Sequence, residues 1–189
     1  MKFSIKKRSR LSAFFSIGFM LYLCMMLPFS VHGATLAEYK VKAAFILKFA
    51  AFVEWPADVL NPGTSPFKIC VVGDDPFGDL LPQEIPADGP DGISFKVARA
   101  SIHDEDFSKV HIMFISNSDP DAVSSIVRSI KEKPVLTIGE GEDFLKQGGI
   151  IAFTIENQRV RFMVSLKGAV KAHLKISSQL LSLASFVLR

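Results

Sequence analysis

Three short apolar runs, Phe67–Val72, Val110–Ile115 and Pro134–Ile138, restrict the fold more than any other feature. A strand with one wet face alternates apolar and polar residues. A nearly continuous run is covered on both faces, as in a parallel sheet between layers of helices. Helical patterns separate the runs. From Ala37 to Trp55, the residues Val41, Phe45, Lys48, Phe49 and Phe52 recur at helical spacing, and Ala44, Leu47 and Val53 broaden the apolar face. Pro56 ends this helix, because the residue before proline is pushed out of helical geometry. Lys40, Lys42, Lys48 and Glu54 are expected to reach water at its margins.

Asn61–Pro66 reads as a turn-rich linker, and Asp74-Asp75-Pro76 as the opening of a short helix toward Leu81. Pro82–Gly92 reads as a loop and Ile93–Ala98 as an alternating strand. A cap at Ser118 or Asp119 opens a helix reaching Ile130. Glu142–Gln147 forms another, ended by Gly148 and Gly149. Ile150–Ile155 and Arg159–Val164 flank Asn157–Gln158 as a hairpin with a tight turn. Two short helices close the chain, and Ser177 caps the last. This alternation predicts an α/β fold, a three-layer α/β/α sandwich. Its sheet is mostly parallel, with an antiparallel hairpin adding an edge near the C-terminus.

The N-terminus reads differently. Lys2, Lys6, Lys7, Arg8 and Arg10 precede an apolar stretch, Leu11–Leu27, which Pro28 breaks, and Ser30, Val31, Gly33 and Ala34 follow. Basic, apolar and small-residue regions in that order make a secretory signal peptide over residues 1–33, with a domain over 34–189. Cleavage falls after Gly33 or Ala34. The alternative is an uncleaved membrane anchor, since about 20 apolar residues span a bilayer. Cys24 follows Leu23, too large a residue for a good lipoprotein cleavage site. The expected location is the periplasm. Of the 22 Lys and Arg, five lie in the signal, leaving 17 against 19 acids, a net of about −2 in place of +3. That balance offers no case for nucleic acid, which needs a positive patch for its phosphates.

Cys70 is the single cysteine after the signal, so no internal disulfide forms. It lies in an apolar run and reads as a small buried hydrophobe. A reactive thiol or an intermolecular bridge is the competing reading.

Open α/β sheets bind ligands at the carboxyl ends of their strands. Asp74 and Asp75 follow the first strand, and paired acids there could hold Mg²⁺. A receiver-type site also needs an acceptor Asp and a Lys at later strand ends. Ser116 and Asn117 stand at the first of these, Thr137 offers only a hydroxyl, and no Lys follows. Acids opening a helix are the simpler reading. His103-Asp104-Glu105-Asp106 has no second histidine at helical spacing, His111 lies inside a strand, and His173 sits near a helix end. These read as a solvated loop and local structural roles. Gly139-Glu140-Gly141 lacks the third glycine of a dinucleotide fingerprint, as Phe144 stands in its place. No serine sits in a nucleophile-elbow pattern. No catalytic residue, metal site or cofactor is expected. A small-ligand pocket at Asp74, Asp75, Ser116 and Gly139 remains as the alternative function.

Longer motifs resemble a known family. Tyr39–Phe45 leading to Phe52-Val53-Glu54-Trp55-Pro56, then Ile69–Gly78, His111–Ser116, Val135–Ile138, Gly148–Phe153, Arg159–Phe162 and Leu174–Ala184 are similar, in order, to the YfiR/HmsC-like periplasmic proteins. The resemblance implies a regulator and not an enzyme: a repressor of an inner-membrane diguanylate cyclase that sets cyclic di-GMP levels and biofilm formation. It also implies an outer-membrane partner that relieves repression, and a capacity to form homodimers. Some members carry cysteine pairs, one linking the position of Cys70 to that of Val110. Val110, Phe144 and Ile151 stand here where other family cysteines fall, so redox control through those bridges is not expected.

The expected contact surface for the partner is the Arg161-Phe162-Met163 strand end together with the last helix. Lys175 and Gln179 form its polar rim. The amphipathic segment Leu180, Leu181, Leu183, Ala184, Val187 and Leu188 could pack on its own sheet or serve as an anchor in a partner groove.

Overall fold

A computed structural model describes residues 35–59, 66–84, 94–102, 107, 109–116 and 119–189. The signal segment, the His103–Asp106 loop, Asn117, Ser118 and most of the Asn61–Pro66 linker lie outside the described residues.

Helix α1 (Leu36–Phe52) starts at Thr35, whose hydroxyl accepts from the Glu38 N–H. It stops three residues earlier than the sequence suggests. Val53 turns extended, and strand β1 (Val53–Glu54) pairs antiparallel with β8 (Lys175–Ile176) in a small second sheet. The main elements follow: β2 (Phe67–Gly73), α2 (Leu80–Glu84), β3 (Phe95–Ala100), β4 (Ile112–Ser116), α3 (Pro120–Ile130) and β5 (Leu136–Glu140). Then come α4 (Glu142–Lys146), β6 (Ile151–Glu156), β7 (Arg159–Ser165), α5 (Leu166–Lys171), α6 (Ser178–Leu183) and β9 (Phe186–Leu188).

Seven strands form the main sheet in the order β3-β2-β4-β5-β6-β7-β9, with β6–β7 its antiparallel pair. Alternation along each strand divides the core. Ile69, Val71, Ile112, Phe114, Phe153 and Phe162 face α1, α2 and α6. Cys70, Val72, Met113, Ile115, Ala152 and Met163 face α3 and α4. The fold is thus the expected α/β arrangement, a mostly parallel sheet flanked by helices. Phe49 of α1 stacks on Phe153 and meets Phe162 edge-on, with centroids 5.9 and 5.1 Å apart.

Several boundaries shift. α2 begins at Leu80, well past Asp75, and takes in Pro82, where the sequence suggests a loop. β3 starts at Phe95, and β4 starts one residue after His111. Asp119 is the cap of α3, accepting from the Asp121 N–H. Asn157 and Gln158 both have positive φ (50° and 61°), as a two-residue hairpin turn requires. The largest correction is at the C-terminus. Ser177 caps α6 as expected, but the helix ends at Leu183, and Phe186–Leu188 pairs parallel with Met163–Ser165 as β9. The hairpin is therefore not the edge of the sheet; β9 is.

Candidate functional site

The chain runs from β2 to β3 on one side and then crosses back to β4 on the other. The strand order therefore reverses between β2 and β4. Their carboxyl ends are the place where such sheets open a crevice. Gly73, at φ +89°, lets the chain leave β2 hard against β4; a Cβ there would lie 2.1 Å from the Ser116 carbonyl oxygen. The Asp74 N–H donates to that same oxygen at 3.2 Å. An open cleft results, lined by Gly73, Asp74, Arg99, Ser101 and Ser116.

Of the four residues expected at a ligand pocket, two meet in this cleft: Asp74, exposed, and Ser116. Asp75 is engaged in holding its own turn. One carboxylate oxygen accepts from the Phe77 and Gly78 N–H groups, and the other pairs with Arg99 Nε at 2.6 Å. Arg99 also donates to the Gly78 carbonyl. Gly139 is a packing position. A Cβ on it would sit 2.5 Å from the Phe144 ring, and one on Gly149 would strike the same ring. Thr137 is occupied as well, its hydroxyl accepting from the Ile150 N–H. Among the described residues no three His, Cys, Asp or Glu side chains converge as metal ligands.

A second cleft shares Ser116 and is bordered by Tyr39, Glu140, Asp143 and Gln147. Its wall holds a buried cation where the sequence suggests an exposed one. Lys42 is not at a wet margin. It is 3% exposed, with Nζ paired to Glu140 at 2.6 Å and to Glu38 one turn earlier. The ammonium lies 4.4 Å from the Tyr39 ring centroid. Burial, then the charge and hydrogen bond of Glu140, and last the charge of Glu38 push the Tyr39 hydroxyl up to about 12. This cluster joins α1 to the end of β5. The clue was present: Lys42 stands four residues before Ile46 and seven before Phe49, both fully buried, so it belongs to the buried stripe.

The expected partner surface divides. Arg161 is exposed, but Phe162 and Met163 lie in the core on opposite faces of the sheet. Lys175, on the small sheet near Glu54, and Gln179, on α6, are exposed. Large apolar groups are exposed at Val170 (71% exposed), Leu183 (58%), Phe186 (53%) and Leu188 toward the C-terminal end, and also at Leu36 and Val41 on α1 and Ile155 on β6. Phe186 and Leu188 belong to β9, whose outer backbone edge no described strand pairs.

These observations define a class: an α/β domain in which Asp75 and Glu140 at the strand ends are held in ion pairs, Asp74 is exposed, and Phe186 and Leu188 are exposed on the outermost strand of the sheet. The chain matches the YfiR/HmsC-like family over residues 39–185 and belongs to it; the family is one of periplasmic regulation. Among curated proteins, none matches the sequence. The fold is similar to the crystal structure of a conserved domain protein from Vibrio cholerae O1 biovar El Tor str. N16961, with a TM-score of 0.54 and 12% identity. That alignment takes in 79% of this chain and spans 60% of the Vibrio chain. No helix among the described residues is long and apolar enough to cross a membrane.

Proposed function

We propose that the protein is a non-catalytic periplasmic repressor, exported on its N-terminal segment, that binds an inner-membrane diguanylate cyclase and holds it inactive. Family membership supports the regulatory role. The observation that carries the mode of action is the exposed Phe186 and Leu183 beside an open sheet edge. Soluble domains rarely leave such groups together unless something covers them. An extended partner segment can add to the edge by main-chain hydrogen bonds, with pockets or apolar contacts supplying specificity. Repression then requires only that the inactive conformation of the cyclase binds more tightly than the active one. An outer-membrane partner or a second copy of this chain could compete for the same edge and lift repression.

Deleting Ser177–Arg189 would be a poor test, because it removes buried Leu180 along with β9. Phe186→Asp changes an exposed residue. Complementing a deletion strain with this variant should leave cellular cyclic di-GMP high while the protein accumulates normally. Restored low cyclic di-GMP would refute the edge as the contact.

A second reading rests on the Asp74–Ser116 crevice at the strand-order reversal: a small metabolite bound there could tune the regulator. Ligand binding to the folded state would raise the unfolding midpoint in a metabolite screen, and Asp74→Ala should abolish the shift.

A further inference from the structure

The opposite end of the sheet carries a different kind of cleft. Lys68 at the start of β2, Lys96 at the start of β3, Lys109 before β4 and Lys133 before β5 all line one cavity with His111. Asp58 is the single acid among its described lining residues. Topology explains the gathering: parallel strands bring their first residues to one rim, so lysines as far as 65 positions apart in the chain (Lys68 to Lys133) share a site.

None of the four ammonium groups is ion-paired within the described residues, whereas Lys42, Lys146 and Arg99 all are. Like charges gathered in a cleft repel one another, and the low-dielectric walls focus their field outward. Residues 34–189 carry 17 Lys and Arg against 19 acids, so this is a local concentration and not a general surplus. Another cleft, near α3 and α5, is also basic: there Lys146 is held by Glu142 and Asp143 and Lys131 lies beside Glu132, while Arg128, Lys167 and Lys171 have no ion pair within the described residues, which makes it the natural control site. His111 is buried and neutral in character. Its Nδ1 accepts from the Lys68 N–H at 2.9 Å, and its ring stacks on Phe67. It fixes the floor of the cleft and the backbone of Lys68. Val59, Pro66, Phe107 and Pro134 supply apolar walls.

We propose that this cleft binds a phosphate-bearing anion, either a free phosphorylated molecule or a lipid headgroup. Lysine acts as a compact point charge that suits phosphate. No arginine, whose planar fork suits carboxylate and phosphate alike, stands among the described lining residues. The site lies at the amino ends of the strands, away from the Asp74–Ser116 crevice, and does not depend on the repressor reading.

Titration of the purified protein with pyrophosphate at low salt, and co-sedimentation with phosphatidylglycerol against phosphatidylcholine vesicles, test it. The comparison variant is Lys96→Gln/Lys133→Gln, both at exposed positions. The control is Lys167→Gln/Lys171→Gln in the other basic cleft. Wild type should bind at least one probe, and the first variant should bind about tenfold more weakly per lysine removed, with the control unchanged. Pyrophosphate binding without vesicle binding assigns a free ligand; vesicle binding displaced by pyrophosphate assigns a headgroup. Wild type that binds neither probe, or a control that loses as much as the first variant, would overturn the proposal.

Discussion

The two ends of the main sheet handle charge in opposite ways. At the carboxyl end, Asp75 holds a turn together with Arg99, and Glu140 is tied to buried Lys42 and to Tyr39. These charges are engaged, and they join α1 and β3 to the strand ends. At the amino end, Lys68, Lys96, Lys109 and Lys133 surround one cleft without a carboxylate in pairing distance among the described residues. The lesson is that a charged cluster acquires meaning from its partners. Paired groups explain how the fold is held. Unpaired groups of one sign point to something from outside.

The contrast can be broken by substitution. The largest effect belongs to Lys42→Met, which leaves Glu140 and Glu38 facing a low-dielectric wall without a cation. It should cost about 2–4 kcal/mol in denaturant unfolding, and adding Glu38→Gln and Glu140→Gln should recover most of it. A cost that the added changes do not recover would mean that packing, not charge, is at stake. Next is Gly139→Ala, which drives a methyl group into the Phe144 ring and should cost about 1–3 kcal/mol. It should do so without altering any ligand response if Gly139 is only a packing position.

The pH dependence separates the same two ends. Tyr39 at the carboxyl end has its pKa raised from 10.0 to about 12, so the folded state holds that proton longer than the unfolded chain. Its contribution is complete below pH 10 and lost as pH rises from 10 toward 12. Tyr39→Phe should flatten that alkaline loss. His111 at the amino end has its pKa lowered from 6.5, chiefly by burial. Its contribution is complete above 6.5 and lost as pH falls below that value, which a stability profile from pH 7 to 4 would reveal. The smallest effect is for Lys133→Met, within about 0.5 kcal/mol, because an exposed unpaired lysine contributes little to folding.

The strands were legible because burial on both faces leaves an apolar run that few other structures produce; β2, β4 and β5 all lie within one or two residues of the runs that predicted them. The hairpin was legible from its turn. Lys42 was legible only in part: its spacing to Ile46 and Phe49 places it on the buried stripe, but its partner, a carboxylate 98 residues away, leaves no mark in the sequence. β9 was hidden for a related reason. Leu180, Leu181 and Leu183 carry a helical pattern onward, and only pairing with Met163–Ser165 makes Phe186–Leu188 extended. The aromatic and β-branched Phe186-Val187 pair was the local hint. Phe162 and Met163 looked like a strand end available to a partner, yet β9 on their edge and helices on both faces take them inside. The Asp74–Ser116 crevice could be placed from topology, but Asp75 and Gly139 could not be assigned before their contacts with Arg99 and Phe144 were visible.

The repressor reading is tested most directly by placing a photocrosslinking amino acid at position 186 in living cells, with position 133 at the far end of the sheet as reference. The account predicts a covalent adduct from position 186 to an inner-membrane protein carrying a cyclase domain, and none from position 133. An adduct to that protein from position 133 alone, or no adduct from position 186 in cells whose cyclic di-GMP is being repressed, would contradict it.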